Sequence, residues 1–161
     1  MMEFDTIHYS KCPMCGMASS AAAGACSICG ASGLAPWPAG AELPLDQRLT
    51  ASGRLADAYA LLQDQVSRVQ QDAPSCVRLA WLAYAFEDMR AVEIWCHEAS
   101  RLDGDSAEPH MLLGLEFQRS ARWPEALEEY GAALRKPGLS TERHELLTRL
   151  SAECRGQMPE W

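Results

Sequence analysis

The sequence predicts an all-α chain of three helical hairpins and a C-terminal capping helix, stacked as an α-solenoid and preceded by a small four-cysteine module. Three observations predict it. From about residue 43 to 155 apolar residues recur at intervals of three and four, the period of helices buried along one face. Breakers at Ser52-Gly53, Ala73-Pro74, Asp103-Gly104-Asp105 and Pro137-Gly138 cut this region into helices of ordinary length, so it reads as antiparallel hairpins rather than one long coil. Four of the seven cysteines fall into two tight pairs before residue 30.

The first 35 residues are rich in Cys, Gly, Ala and Ser and poor in large aliphatics, which sets them apart as a module of their own. Residues 36–42, with Pro36 and Pro38, read as a semi-rigid linker. The helical region follows over 43–155, and 156–161 is a short tail.

Within the helical region a pattern repeats every 34 residues, and its clearest copy runs over about 107–140. That copy holds His110-x2-Leu113-Gly114-x2-Phe117, then Ala121-x-Trp123-x2-Ala126-x3-Tyr130-x2-Ala133. Small residues, Gly114, Ala126 and Ala133, stand where two helices must approach closely. Large ones, Phe117, Trp123 and Tyr130, stand where the space between hairpins must be filled. Thirty-four residues earlier, over 73–106, Leu79-Ala80, Val92, Cys96 and Ala99 occupy the matching places. A weaker copy over about 39–72 holds Leu45, Gly53-x-Leu55-x2-Ala58 and Leu62. The pattern resembles the tetratricopeptide repeat (TPR), with His110 in place of the family's first Trp. After the third copy Ser140 or Thr141 can cap a further helix. Leu146, Leu147 and Leu150 then share one face, as a terminal cap over 141–155 requires.

Cys12-Pro13-Met14-Cys15-Gly16 and Cys26-Ser27-Ile28-Cys29-Gly30 give the spacing C-x2-C-x10-C-x2-C. Two such pairs can set four thiolates tetrahedrally around one Zn2+ at about 2.3 Å, and a glycine after each pair lets the chain turn sharply toward the metal. The motif resembles the knuckles of zinc-ribbon and rubredoxin-like modules. Iron is the alternative metal, since rubredoxin-like sites use the same ligands. With all four positions filled by protein, the metal is expected to be structural. A segment of about 35 residues needs such a staple to fold. A thiol–disulfide site at Cys12 and Cys15 would explain one pair and leave the other unexplained.

Composition narrows the function. A formal net charge of −8, from 22 acidic against 14 basic residues, disfavours nucleic acid, whose phosphates call for clustered Lys and Arg. No stretch approaches the ~20 apolar residues of a membrane span, and the acidic start, Met1 to Asp5, is unlike a secretory signal. Paired cysteines without a leader imply a reducing, cytoplasmic setting. Cys76, Cys96 and Cys154 read as buried small hydrophobes. The histidines His8, His97, His110 and His144 are scattered, and no Ser-His-Asp order, phosphate-binding glycine loop or His-Glu-x2-His motif occurs. The expectation is a non-enzymatic protein.

The repeat resemblance implies a concave face lined by the first helix of each hairpin. The 34-residue register places there Leu43 and Gln47, then Val77, Arg78, Trp81 and Tyr84, then Met111, Leu112, Leu115 and Arg119. Trp81 and Tyr84 are the residues expected to be exposed for binding. Leu112 and Leu115 either line the groove or pack against the next hairpin. Family members that grip acidic tails use a Lys, Asn and Arg clamp. The matching places here hold Leu43, Gln47, Arg78, Glu108 and Leu112, of which only Arg78 suits that task. The expected partner is therefore a protein or peptide with an apolar segment, and self-association stays open. Size, acidity and repeats are similar to secretion chaperones of the type III translocator class. The metal module is instead similar to that of bacterial envelope-assembly adaptors, which carry it after the repeats. A metal- or redox-responsive switch is the third expectation.

Overall fold

The computed structural model describes residues 9–20, 23–39, 41–69 and 71–160. The acidic start, including His8, lies outside the described residues. The chain divides into two compact units, Met1–Gln70 and Gln71–Trp161.

The first unit opens with a three-stranded antiparallel sheet in the order β2-β1-β3, formed by β1 (Tyr9–Lys11), β2 (Ala18–Ser20) and β3 (Ala35–Pro36). Tyr9 faces Ser20 and Lys11 faces Ala18 across β1–β2, while Ser10 faces Pro36 across β1–β3. Pro36, assigned from composition to the linker, is thus part of the sheet. It sits on an edge strand, where proline costs no ladder hydrogen bond. Trp37 continues this edge: its N–H donates to the Tyr9 carbonyl at 2.9 Å, and the Lys11 ammonium lies 5.7 Å from its ring centre. Two helices follow, α1 (Leu45–Ala51) and α2 (Leu55–Arg68), packed as a hairpin, and α1 also packs on β2.

The second unit is five helices: α3 (Ala73–Ala85), α4 (Met89–Leu102), α5 (Glu108–Arg119), α6 (Trp123–Leu134) and α7 (Thr141–Gln157). Each packs on its sequence neighbour in the pairs α3–α4, α4–α5, α5–α6 and α6–α7, and α3 also meets α5. Side chains start several of them. Asp72 accepts from the Ser75 N–H at 2.8 Å, Asp88 from the Ala91 N–H at 3.1 Å, and Ser140 from the Arg143 N–H at 3.2 Å. Of the two candidate caps for α7, Ser140 is therefore the one used. Prolines 74, 109 and 124 stand in the first turns of α3, α5 and α6, where a missing N–H costs nothing. α7 runs to Gln157, slightly beyond the expected 155, and stops at Met158, where Pro159 disfavours further helix.

The 34-residue period recurs in the backbone itself. Gly53, Glu87 and Ala121, each 34 apart, have φ of 78°, 59° and 58°. Each lies in the turn between the two helices of a hairpin. The next residues, Arg54, Asp88 and Arg122, donate back to the carbonyls of Leu49, Ala83 and Phe117 at 2.8–3.0 Å. This pattern satisfies the last carbonyls of each first helix. The same period runs through the core: Ala58, Val92 and Ala126, and Leu62, Cys96 and Tyr130, all have no exposed surface.

Candidate metal centre and inner helix faces

Two equivalent turns build the cysteine site. In the first, the Gly16 N–H donates to the Cys12 carbonyl at 2.9 Å and the Cys12 N–H to the Met17 carbonyl at 3.0 Å. In the second, Gly30 and Cys26 repeat this with Cys26 and Ala31, both at 2.9 Å. Gly16 and Gly30 have φ of 73° and 76°, which a side chain would make costly. The Ile28 N–H lies 3.4 Å from the Cys26 Sγ, an amide aimed at sulfur.

The four sulfur atoms all lie within 4.8 Å of one another, with Cys12–Cys29 at 3.5 Å and Cys15–Cys26 at 3.6 Å. A tetrahedron with ~2.3 Å metal–sulfur arms has edges of about 3.8 Å, so the donor set fits a thiolate-coordinated ion. No disulfide joins these cysteines. Hydrogen bonding among the thiols, first from Cys15, draws Cys12 down to about 6. Hydrogen bonding with Cys12 likewise lowers Cys26. Hydrogen bonding with Cys12 raises Cys15 and Cys29, and burial adds to it. Four sulfur atoms at these distances could hold a metal ion among them. Among the described residues this is the group of His, Cys, Asp and Glu side chains that can hold a metal ion.

The residues expected to line a groove are placed differently from one another. Leu43 precedes α1 and is half-buried. Gln47 is buried in the first unit: its Oε1 accepts from the Ala18 N–H at 2.9 Å, and its Nε2 lies 3.7 Å from the Met17 sulfur. It is a joint between α1 and the cysteine module.

Trp81 corrects the expectation of exposure, for it has no exposed surface. Its indole N–H donates to Glu108 Oε1 on α5 at 3.1 Å, and its ring meets Tyr84 edge-on at 5.7 Å. A large ring on the inner helix fills the space between α3 and α5 and finds a polar partner for its one donor. Met111, Leu112 and Leu115 are buried as well, so Leu112 and Leu115 take the packing reading. Val77, Arg78 and Tyr84 stay half-buried and Arg119 exposed.

Arg119 closes over this apolar layer. Its guanidinium lies 3.9 Å from the centre of the Tyr84 ring, donates to the Tyr84 carbonyl at 2.8 Å and pairs with the Glu116 carboxylate. Burial pushes Glu116 up and Arg119 pulls it back. Glu108 and Arg143, which lies 3.5 Å from the Met111 sulfur, both border a cleft of about 300 Å³ between the turn before α5 and the turn before α7. Sequence reasoning missed these carboxylates. Glu108 reads from the sequence only as a failed clamp position, and no feature of the sequence marks Glu116 as a buried carboxylate.

No protein-family model matches the chain, and no curated protein matches its sequence. None of the described helices is long and apolar enough to cross a membrane. Among solved structures the chain is similar to the type III secretion translocator chaperone SycD of Yersinia enterocolitica. The TM-score is 0.61 over 70% of this chain and 84% of that one, at 17% sequence identity. What the two share is a helical-repeat fold.

Proposed function

We propose that this chain is a non-enzymatic adaptor or chaperone that holds an apolar segment of a protein partner against its inner helices and carries one structural zinc on Cys12, Cys15, Cys26 and Cys29. In this reading it comprises three TPR hairpins over about 39–72, 73–106 and 107–140 with a cap at 141–155, and it works in the reducing cytoplasm. The fold likeness to a translocator chaperone carries the reading. The threefold recurrence of the left-handed turn supports the repeat count, and the sulfur spacing supports a tetrahedral ion. Four protein ligands leave no open position, so zinc here staples and does not catalyse.

On the inner face the partner meets Val77, Arg78, Tyr84 and Arg119, with Trp81, Met111, Leu112 and Leu115 as the floor beneath them. The test has two arms. Elemental analysis of purified protein should find about one zinc per chain, lost in Cys12→Ser; a red, iron-rich protein would move the module to the rubredoxin-like class. A partner captured from native cytosol should lose about tenfold or more in affinity with Tyr84→Ala and with Arg119→Ala. A partner indifferent to both variants would remove the inner face from the proposal. Trp81→Ala is unsuitable as a binding probe, because it empties the core.

A further inference from the structure

We infer that the metal centre holds α1 folded, so that metal loss removes the inner helix of the first hairpin as well as the cysteine module. The inference rests on the reading of the four cysteines as a metal site.

α1 has too little to hold it by itself. It is seven residues long and begins at Pro44 without a side-chain cap, far below the ~12–15 residues at which isolated helices become even marginal. Its inward face is polar: Asp46, Gln47 and Thr50 are 3%, 6% and 0% exposed. At the same places in the 34-residue register, α3 carries Ala80, Trp81 and Tyr84, and α5 carries Gly114, Leu115 and Gln118. Trp81 and Leu115 anchor their helices by apolar burial. Gln47, which stands in their place, anchors α1 by hydrogen bonding to the cysteine module.

That anchor is two steps from a metal ligand. Gln47 takes the Ala18 N–H and reaches the Met17 sulfur. Met17 and Ala18 are 1% and 0% exposed, and the Met17 carbonyl accepts the N–H of Cys12. Among its described residues the module offers few large apolar side chains for a core of its own; besides the cysteines, Met17 and Ile28 are the large buried ones. A module so small folds on its ion. When the ion leaves, β2 dissolves, and the buried amide of Gln47 loses both partners. Keeping α1 docked would then leave polar groups buried and unpaired, which costs more than releasing the helix. The metal thus decides whether the first hairpin presents its inner helix at all.

Hydrogen exchange read by mass spectrometry tests this on the full chain. The protein is compared after loading with Zn2+, after chelation, and after Zn2+ is restored. Chelation should speed exchange in Leu45–Ala51 by at least ~100-fold while α5 and α6 change by less than about threefold, and Zn2+ should reverse it. Should the chelated protein aggregate, Zn2+-loaded Gln47→Ala serves instead, with exchange in α1 rising at least ~10-fold while Tyr9–Ser20 stays protected. If zinc binds and its removal exposes the strands but leaves α1 protected, or if loaded Gln47→Ala leaves α1 unchanged, the inference is overturned and the metal site stands. If no Zn2+ binds, both fall together.

Discussion

Cys76, Cys96 and Cys154 lie on α3, α4 and α7 without exposed surface, and burial pushes each thiol above its ordinary value, Cys76 to about 11. The thiolate is the reactive form, so these residues behave as small hydrophobes. Cys12 is the opposite case, drawn down to about 6 by its thiol neighbours. One reagent can separate the two classes. A rise from 9.0 to about 11 lowers the thiolate fraction of Cys76 about 100-fold near neutral pH. Alkylation of the native metal-loaded protein with iodoacetamide at pH 7.5 should therefore spare all three helical cysteines, and denaturant should release them. After chelation the four cysteines of the module should be labelled ahead of those three. Mass-spectrometric mapping of rapid native labelling at Cys76 would contradict this account.

At the scale of elements, the approach of α5 to α6 turns on one glycine. A β-carbon on Gly114 would sit 2.3 Å from Tyr130 Cε1 and 2.5 Å from its Cδ1. Tyr130 cannot easily yield: it is fully buried, and its hydroxyl donates to Gln118 Oε1 at 2.6 Å. Gly114→Ala should accordingly lower stability by about 1–3 kcal/mol despite its better helix propensity. Urea titration checks this; an unchanged or raised midpoint would show that α5 and α6 can separate at no cost. The close approach at Gly114 was legible in the sequence as a small residue at fixed spacing, but Tyr130, expected between hairpins, instead meets Gly114 within one. The helices α3 to α7 and the cysteine turns were likewise legible as residue types at fixed spacing. Gln47 was not. Register alone placed it on a concave face, and nothing in a run of Asp46, Gln47 and Thr50 says which neighbour will take up their hydrogen bonds. Trp81 shows the complementary limit: whether a large ring faces solvent or a neighbouring helix depends on how near that helix lies.

At the scale of the molecule, charge and fold point to different features of a partner. Of the 22 acidic and 14 basic residues, 16 and 10 fall after residue 70, so most of the net −8 belongs to the second unit. A basic partner could be drawn to that unit by charge alone. The inner face is built otherwise. Its accessible residues are Val77, Arg78, Tyr84 and Arg119, two of them cationic, over an apolar floor, and Arg119 is already committed to Tyr84 and Glu116. An apolar segment seated there displaces water from carbon surface, and that contribution is little screened by salt. Exposed charge pairing is screened strongly, with a Debye length of ~10 Å at 0.1 M falling to ~3 Å at 1 M. Affinity for the captured partner should therefore change by less than about threefold between 0.05 and 0.5 M NaCl, while Tyr84→Ala lowers it at both salts. Isothermal titration at the two salts measures this directly. A collapse in affinity at high salt, with Tyr84→Ala silent, would move recognition from the inner helices to the acidic surface of the second unit.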